Sequence, residues 1–192
     1  MAQPRYLALL LSSAFCLAAT FSTGCTTVGQ TADIDPATGR IKSKSVYGGV
    51  KATVIKSEKT NLATYQPLIL TLGSKFFKEQ TVKFGYFGTV VNREDMEKLL
   101  IKEGKSGLVS DVTNFLSWKK IADNYKPFLV LQPDIREEGR VNYGQLKAIR
   151  ADTAEEVFVA EVKLDFLWKG VNDDTVFYPL YNAFIDWVSK NK

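Results

Sequence analysis

Histidine is absent from this 192-residue chain. Its absence excludes serine–histidine and cysteine–histidine nucleophile systems, histidine general bases and histidine-built metal sites. Cysteine is scarce: Cys16 lies inside an apolar leader and Cys25 at its end. Once the leader is removed no pair of thiols is left, so neither a structural disulfide nor thiol redox chemistry is expected. Long apolar runs are missing after residue 24, and no later segment is expected to span a bilayer. A large excess of one charge is also lacking, with 25 Lys and Arg against 21 Asp and Glu. A nucleic-acid protein usually shows a concentrated basic face, so no nucleic-acid partner is expected.

What is present begins with that leader. Residues 1–24 run from a basic start ending at Arg5, through an apolar stretch from Tyr6 to Phe21, to small residues before Cys25. This is the pattern of a bacterial signal peptide. Its apolar core is roughly 15 residues, short of the roughly 20 that a membrane-crossing helix needs. Ser22-Thr23-Gly24-Cys25 resembles the lipobox of bacterial lipoproteins, with serine where leucine is commonest. The resemblance implies cleavage between Gly24 and Cys25, with a diacylglycerol on the Cys25 thiol and an N-acyl chain such as palmitate on its amine. Ordinary signal cleavage nearby, for example after Ala19, is the alternative. No other cofactor and no metal is expected.

The remaining residues, about 170, suit one domain plus a tether. Thr26 to Ser45 is polar and rich in turn formers, and residues 25–45 read as a lipidated N-terminus and flexible tether. Some 20 residues of flexible coil have a root-mean-square span near 25 Å. Asp33-Ile34-Asp35-Pro36 starts like a calcium loop, but Lys44 stands where the bidentate glutamate belongs, and a turn is expected. Residues 40–59 carry six basic side chains against Glu58. They form either a solvated basic face or a surface for anionic headgroups.

The domain is expected over 46–192. Val46 to Lys56 alternates as a first strand. Pro67 opens a helix running to about Gln80, with Leu68, Leu72 and Phe76 on its apolar face. Thr81 to Val91 returns to strand character, with Gly85 and Gly88 marking a bulge or close approach. Asn92 caps a helix whose first turn holds Glu94, Asp95 and Glu97 and whose apolar face is Met96, Leu99 and Leu100. Asp111 to Tyr125 is a third helix, buried through Val112, Phe115, Leu116 and Ala122. Phe128-Leu129-Val130-Leu131 reads as a strand covered on both faces, followed by a polar loop from Gln132 to Arg140. Tyr143 to Arg150 and Phe158 to Trp168 alternate cleanly and pair as a hairpin. The last segment is an amphipathic helix, capped at Asp173 or Asp174 and striped by Leu180, Phe184, Trp187 and Val188.

Two motifs offer chemistry. Glu103-Gly104-Lys105-Ser106-Gly107 resembles the tail of a phosphate-binding loop, but Leu99 replaces the first glycine and a helix, not a strand, precedes it. Ser117-Trp118-Lys119-Lys120 has the Ser-x-x-Lys spacing of penicillin-binding proteins and β-lactamases, in which a lysine could serve as base to a serine. No Lys-Thr-Gly or Ser-Asp-Asn accompanies it, and Ser117 and Lys120 are expected on a helix surface.

The expected fold is α/β with α+β character: a mixed sheet with an antiparallel C-terminal hairpin, packed by about four helices in two or three layers. Element order, Phe128 to Gln132, the hairpin around Asp152 and Tyr178-Pro179-Leu180-Tyr181-Asn182-Ala183-Phe184 together resemble the small periplasmic lipoprotein domains related to the TolB N-terminal and CsgG-like fold. That resemblance implies a non-enzymatic interaction or assembly factor, membrane-bound through its lipid and serving an envelope protein complex. Thr26 stands where an aspartate would, in enteric bacteria, retain a lipoprotein in the inner membrane, which implies the outer membrane, facing the periplasm. Tyr178, Tyr181 and Ile185 broaden the stripe of the last helix and are expected in the core, with an exposed aromatic docking patch as the alternative; on that alternative Tyr143, Trp168, Tyr178 and Tyr181 are the candidate partner or ligand surface. The alternatives are a binding module for a small apolar or glycan ligand, marked by a cavity lined by Phe158, Phe166, Trp168 or Tyr181, and a Ser/Lys or carboxylate hydrolase.

Overall fold

The computed structural model describes residues 29–42, 50–165 and 170–192. Gly24, Cys25, Phe166, Trp168 and the start of the expected first strand at Val46 lie outside them. Among the described residues no helix is long and apolar enough to cross a membrane.

One six-stranded mixed sheet organises the chain. Its strands are β1 (Thr53–Ser57), β2 (Ile69–Thr71), β3 (Val90–Val91), β4 (Leu129–Glu138), β5 (Val141–Arg150) and β6 (Glu156–Lys163), in the spatial order β1-β6-β5-β4-β2-β3. β1, β6, β5 and β4 pair antiparallel, whereas β4, β2 and β3 pair parallel. Among the described residues four helices pack on it: α1 (Lys75–Phe84), α2 (Arg93–Lys102), α3 (Phe115–Asn124) and α4 (Tyr178–Asn191). The fold class is thus the mixed α/β arrangement expected from the sequence, in three layers.

The faces divide by alternation. Leu129, Leu131, Leu146, Ala148, Phe158, Ala160 and Val162 point to a core shared with α1 and α4, which supply Phe76, Phe77, Tyr181, Phe184 and Trp187. Leu68, Leu70, Val91, Phe128, Val130 and Ile149 point the other way, to a core with Met96 and Leu100 of α2 and Trp118 and Ile121 of α3. Phe184 is fully buried, stacks on Phe87 and Trp187, and meets Phe158 and Tyr181 at oblique angles. Burying rings of this size accounts for much of the stabilisation.

Several boundaries differ from expectation. The stretch after Pro67 forms β2 rather than a helix. Ile69, Leu70 and Thr71 are at most 3% exposed between β3 and β4, and burial on both faces overrides helical spacing. The helix starts only at Lys75, after Gly73, whose φ is +82° and whose absent Cβ would lie 2.4 Å from Pro133 Cγ. α1 therefore continues through Thr81 to Phe84, where Gly85 ends it in the left-handed conformation, and the expected strand shrinks to Val90–Val91. α2 has the anticipated cap: Asn92 accepts from the Asp95 N–H and Asp95 accepts in return, a capping box. α3 is rotated from expectation, burying Ser117, Trp118, Ile121 and Ala122 and leaving Phe115 and Leu116 at 50% and 82% exposure.

The largest revision concerns the supposed tether. From Gly29 to Lys42 the chain is a strap bound to α1, α4 and the turn before α4. The Gly29 and Gln30 amides donate to the buried Asp173 carboxylate at 2.6 and 2.9 Å. Gln80 accepts from Ala32 N–H and donates to Ala32 C=O, both at 3.0 Å. Asn182 does the same for Ile41, at 2.7 and 2.9 Å. Arg40 closes a bidentate pair with Asp186. The expected turn at Asp35–Gly39 is the tip of this strap, between the bridged Ile34 and Ile41. Composition correctly marked the segment as lacking a core of its own, but the groups that hold it lie more than a hundred residues away for Asp173 and Asn182.

Candidate functional site

α2 and α3 cover one face of the sheet only over its parallel half. On the same face of the antiparallel half no described helix packs, and alternation places Gln132, Asp134, Arg136 and Glu138 of β4 beside Tyr143, Gln145 and Lys147 of β5. Val159, Glu161 and Lys163 of β6 follow. All but Val159 are polar, each strand sending every second residue to this side, and the middle of the face is close-packed, with Val159, Gln145 and Glu161 at 5%, 7% and 7% exposure.

The centre of this face is a fixed lattice. Arg136 donates to both Glu161 oxygens at 3.0 and 2.9 Å and to Glu138 at 2.7 Å. Its guanidinium carbon lies 4.3 Å from the centroid of the Tyr143 ring, directly across the β4–β5 ladder. Gln145 donates to Glu161 at 3.0 Å. Glu161 is 7% exposed, and the Arg136 and Gln145 hydrogen bonds hold its carboxyl below the usual glutamate range against the opposing pull of burial. Arg136 is raised above the ordinary arginine value, first by Glu161 and then by Glu138. A second cluster lies alongside it. Partial burial pulls Lys147 down, yet Asp134 at 2.9 Å and Glu156 at 3.3 Å raise it overall, and Asp134 is lowered by the same contact. Bidentate geometry and an aromatic support fix the guanidinium, which suits this face to recognising a complementary polar surface.

β4 reaches Glu138 because β2 stops pairing at Thr71 and Leu72, so Pro133 lies where one side of β4 has no partner strand and its missing N–H costs nothing. The sequence reading made Gln132 to Arg140, with Asp134, Glu137 and Glu138, a polar connecting loop. It therefore missed Arg136 and, with it, the role of Glu161. The signal that could have found them is the polar alternation 132, 134, 136, 138, in phase with Gln145 and Tyr143 across the hairpin.

Of the four aromatic candidates, Tyr143 stands on this face, half-buried beneath Arg136. Tyr181 is fully buried and donates to Thr81 Oγ1 at 2.9 Å, which removes it from any surface. Tyr178 is 8% exposed and donates to Gln30 C=O at 2.9 Å, so it holds the strap and offers no docking ring. Trp168 lies outside the described residues, as do Gly24 and Cys25. Ser117 was expected on a helix surface but is 8% exposed, its N–H donating to the Asn114 cap, while Lys120 is exposed. Phe158 borders a groove of about 490 Å³ between β1 and α4, with Val54, Pro179, Trp187, Arg40 and Lys190.

No protein-family profile matches this sequence, and no curated protein is significantly similar to it. Among solved structures, the chain is similar to the LpoB C-terminal domain from Salmonella enterica, with 14% identity and a TM-score of 0.33, over 53% of this chain and 84% of that one. Overlap of that extent assigns no residue here.

Proposed function

We propose that this chain is a lipid-anchored bacterial envelope protein, acylated at Cys25 and directed to the outer membrane facing the periplasm. In this reading it acts without catalysis, as an interaction factor for an envelope protein complex. The observation that carries the reading is the open antiparallel face. Arg136, Glu161 and Gln145 are held there in one arrangement over Tyr143, on the half of the sheet that no described helix covers. A preorganised polar face of this kind loses little side-chain entropy when it docks. Lipidation then concentrates the domain at the membrane where its partner resides.

The test is photo-crosslinking in intact cells from two positions, Lys163 on the open face and Val82 on α1, which is 56% exposed. One membrane-associated envelope protein should crosslink from Lys163, but neither from Val82 nor in the Cys25→Ser form. Equal capture from both positions, or none from either, refutes docking through this face. The groove beside Phe158 and Trp187 favours a second reading, a glycan-binding module. Saturable binding of glycan strands to the purified domain, lost in Trp187→Ala, would replace the first reading with the second.

A further inference from the structure

The strap fixes where Gly29 lies on the domain. Gly29 is bonded to Asp173, in the turn just before α4, and the position of its absent Cβ lies 3.8 Å from Phe76 Cβ at the start of α1. The same pole carries the end of β6, since Gly144 lets Leu164 and Val176 approach to 3.2 Å of where its Cβ would stand. The β4–β5 hairpin tip, Gly139 and Arg140, projects from it beyond Tyr143 and its partner Lys163. At the opposite pole, Asn191 of α4 accepts from the Thr60 N–H, and β1 ends.

We propose that the strap is a clamp that lays this pole of the domain, the start of α1 and α4 and the β4–β5 hairpin tip, against the bilayer that holds the Cys25 anchor. The inference rests on lipidation of Cys25. Three residues separate Cys25 from Gly29, and the four Cα–Cα steps between them reach at most about 14 Å when fully extended, whereas a free tether of some 20 residues could extend to about 70 Å. The hairpin itself runs about 17 Å past Pro133, which abuts Gly73 just before α1, so its exposed tip, Arg140 beside Glu137 and the Arg136-paired Glu138, meets the headgroup layer first, with Lys75 behind it on the same side. The open sheet face then looks sideways, along the membrane, toward a partner anchored in or on it.

The experiment uses the full lipoprotein reconstituted in phosphatidylethanolamine and phosphatidylglycerol vesicles that contain a headgroup nitroxide quencher. Single fluorophores are placed by Arg140→Cys, Lys75→Cys and Lys190→Cys. α4 rises roughly 20 Å between its ends, so the Arg140 and Lys75 labels should be quenched several-fold more than the Lys190 label. Inserting a 12-residue Gly-Ser segment after Val28 leaves every strap bond in place and should bring the three values together. The triple variant Asp173→Ala, Gln80→Ala, Asn182→Ala should do the same from the other direction. Equal quenching at all three sites in the unmodified chain overturns the clamp, as does a contrast that survives the insertion. An intact mass without diacylglyceryl on Cys25 sinks the anchor itself, a failure read from the mass spectrum and not from the quenching.

Discussion

Replacing Gln80 by Met isolates the contact that turns a tether into a strap. Gln80 is fully buried and makes two hydrogen bonds, accepting from the Ala32 N–H and donating to the Ala32 C=O, both 3.0 Å long. Methionine keeps the length and most of the volume, so packing on α1 changes little. Each neutral bond contributes about 1 kcal/mol net, giving about 2 kcal/mol for the pair. Were the Ala32 amide and carbonyl to stay buried and unpaired, the cost would rise to roughly 1–3 kcal/mol for each group. The strap can lift and hydrate both, which holds the loss near the lower figure. Urea unfolding should therefore show a drop of about 2 kcal/mol at unchanged m, with melting lower by roughly 4–8 °C. Amide exchange should show Ala32 losing protection while the β5 and β6 amides keep theirs. A loss below about 0.5 kcal/mol with Ala32 still protected would refute the claim that this side chain holds the strap.

Three further outcomes follow from the packing and the charges. Phe184→Ala empties the centre of the aromatic cluster and should cost about 3–5 kcal/mol in a urea titration. Glu161 and Asp134 have folded pKa values lowered from 4.5 and 3.8. Their stabilisation is complete above those unfolded values and is lost as pH falls through the lower folded ones, so urea midpoints should decline with acid below about pH 4 and decline less in Glu161→Gln. Burial, and next Asp173 and Asp174, push the Tyr178 phenol up to about 12. The unfolded chain gives up that proton first, so stability should fall between pH 10 and about 12, and Tyr178→Phe should flatten that fall while losing the bond to Gln30.

Much of the C-terminal half was legible because its residues alternate cleanly. Phe158, Ala160 and Val162 against Glu161 and Lys163 admit one strand in one orientation, and the turn at Ala151 to Glu156 pairs it with β5. The Asn92 cap was equally plain. Failure came where long-range burial overrules local pattern. Ile69-Leu70-Thr71 can join a helical stripe as easily as a strand, and only pairing with Val90 and Leu129 decides it. In α3, Phe115 and Leu116 looked like core residues, yet Trp118 faces inward, its indole N–H donating to Val112 C=O at 2.8 Å. On the polar face the sequence reading named Tyr143, whose ring the structure places under Arg136, whereas Arg136 itself was hidden behind Pro133 and a run of charges. The strap was not legible at all, because its partners Gln80 and Asn182 are side-chain amides on helices, and no periodicity announces them.

The bond between Gly29 and Asp173 joins residues 144 positions apart, and that separation sets an order of events as the chain is made. β4, β5 and β6 are joined by tight turns and can close locally, and the parallel strands must wait for their helical crossovers. The strap emerges well before Asp173 and Asn182 and has nothing to bind until they exist. It therefore settles only once α4 and the turn before it have formed, and amide protection at Gly29 and Gln30 should report that step.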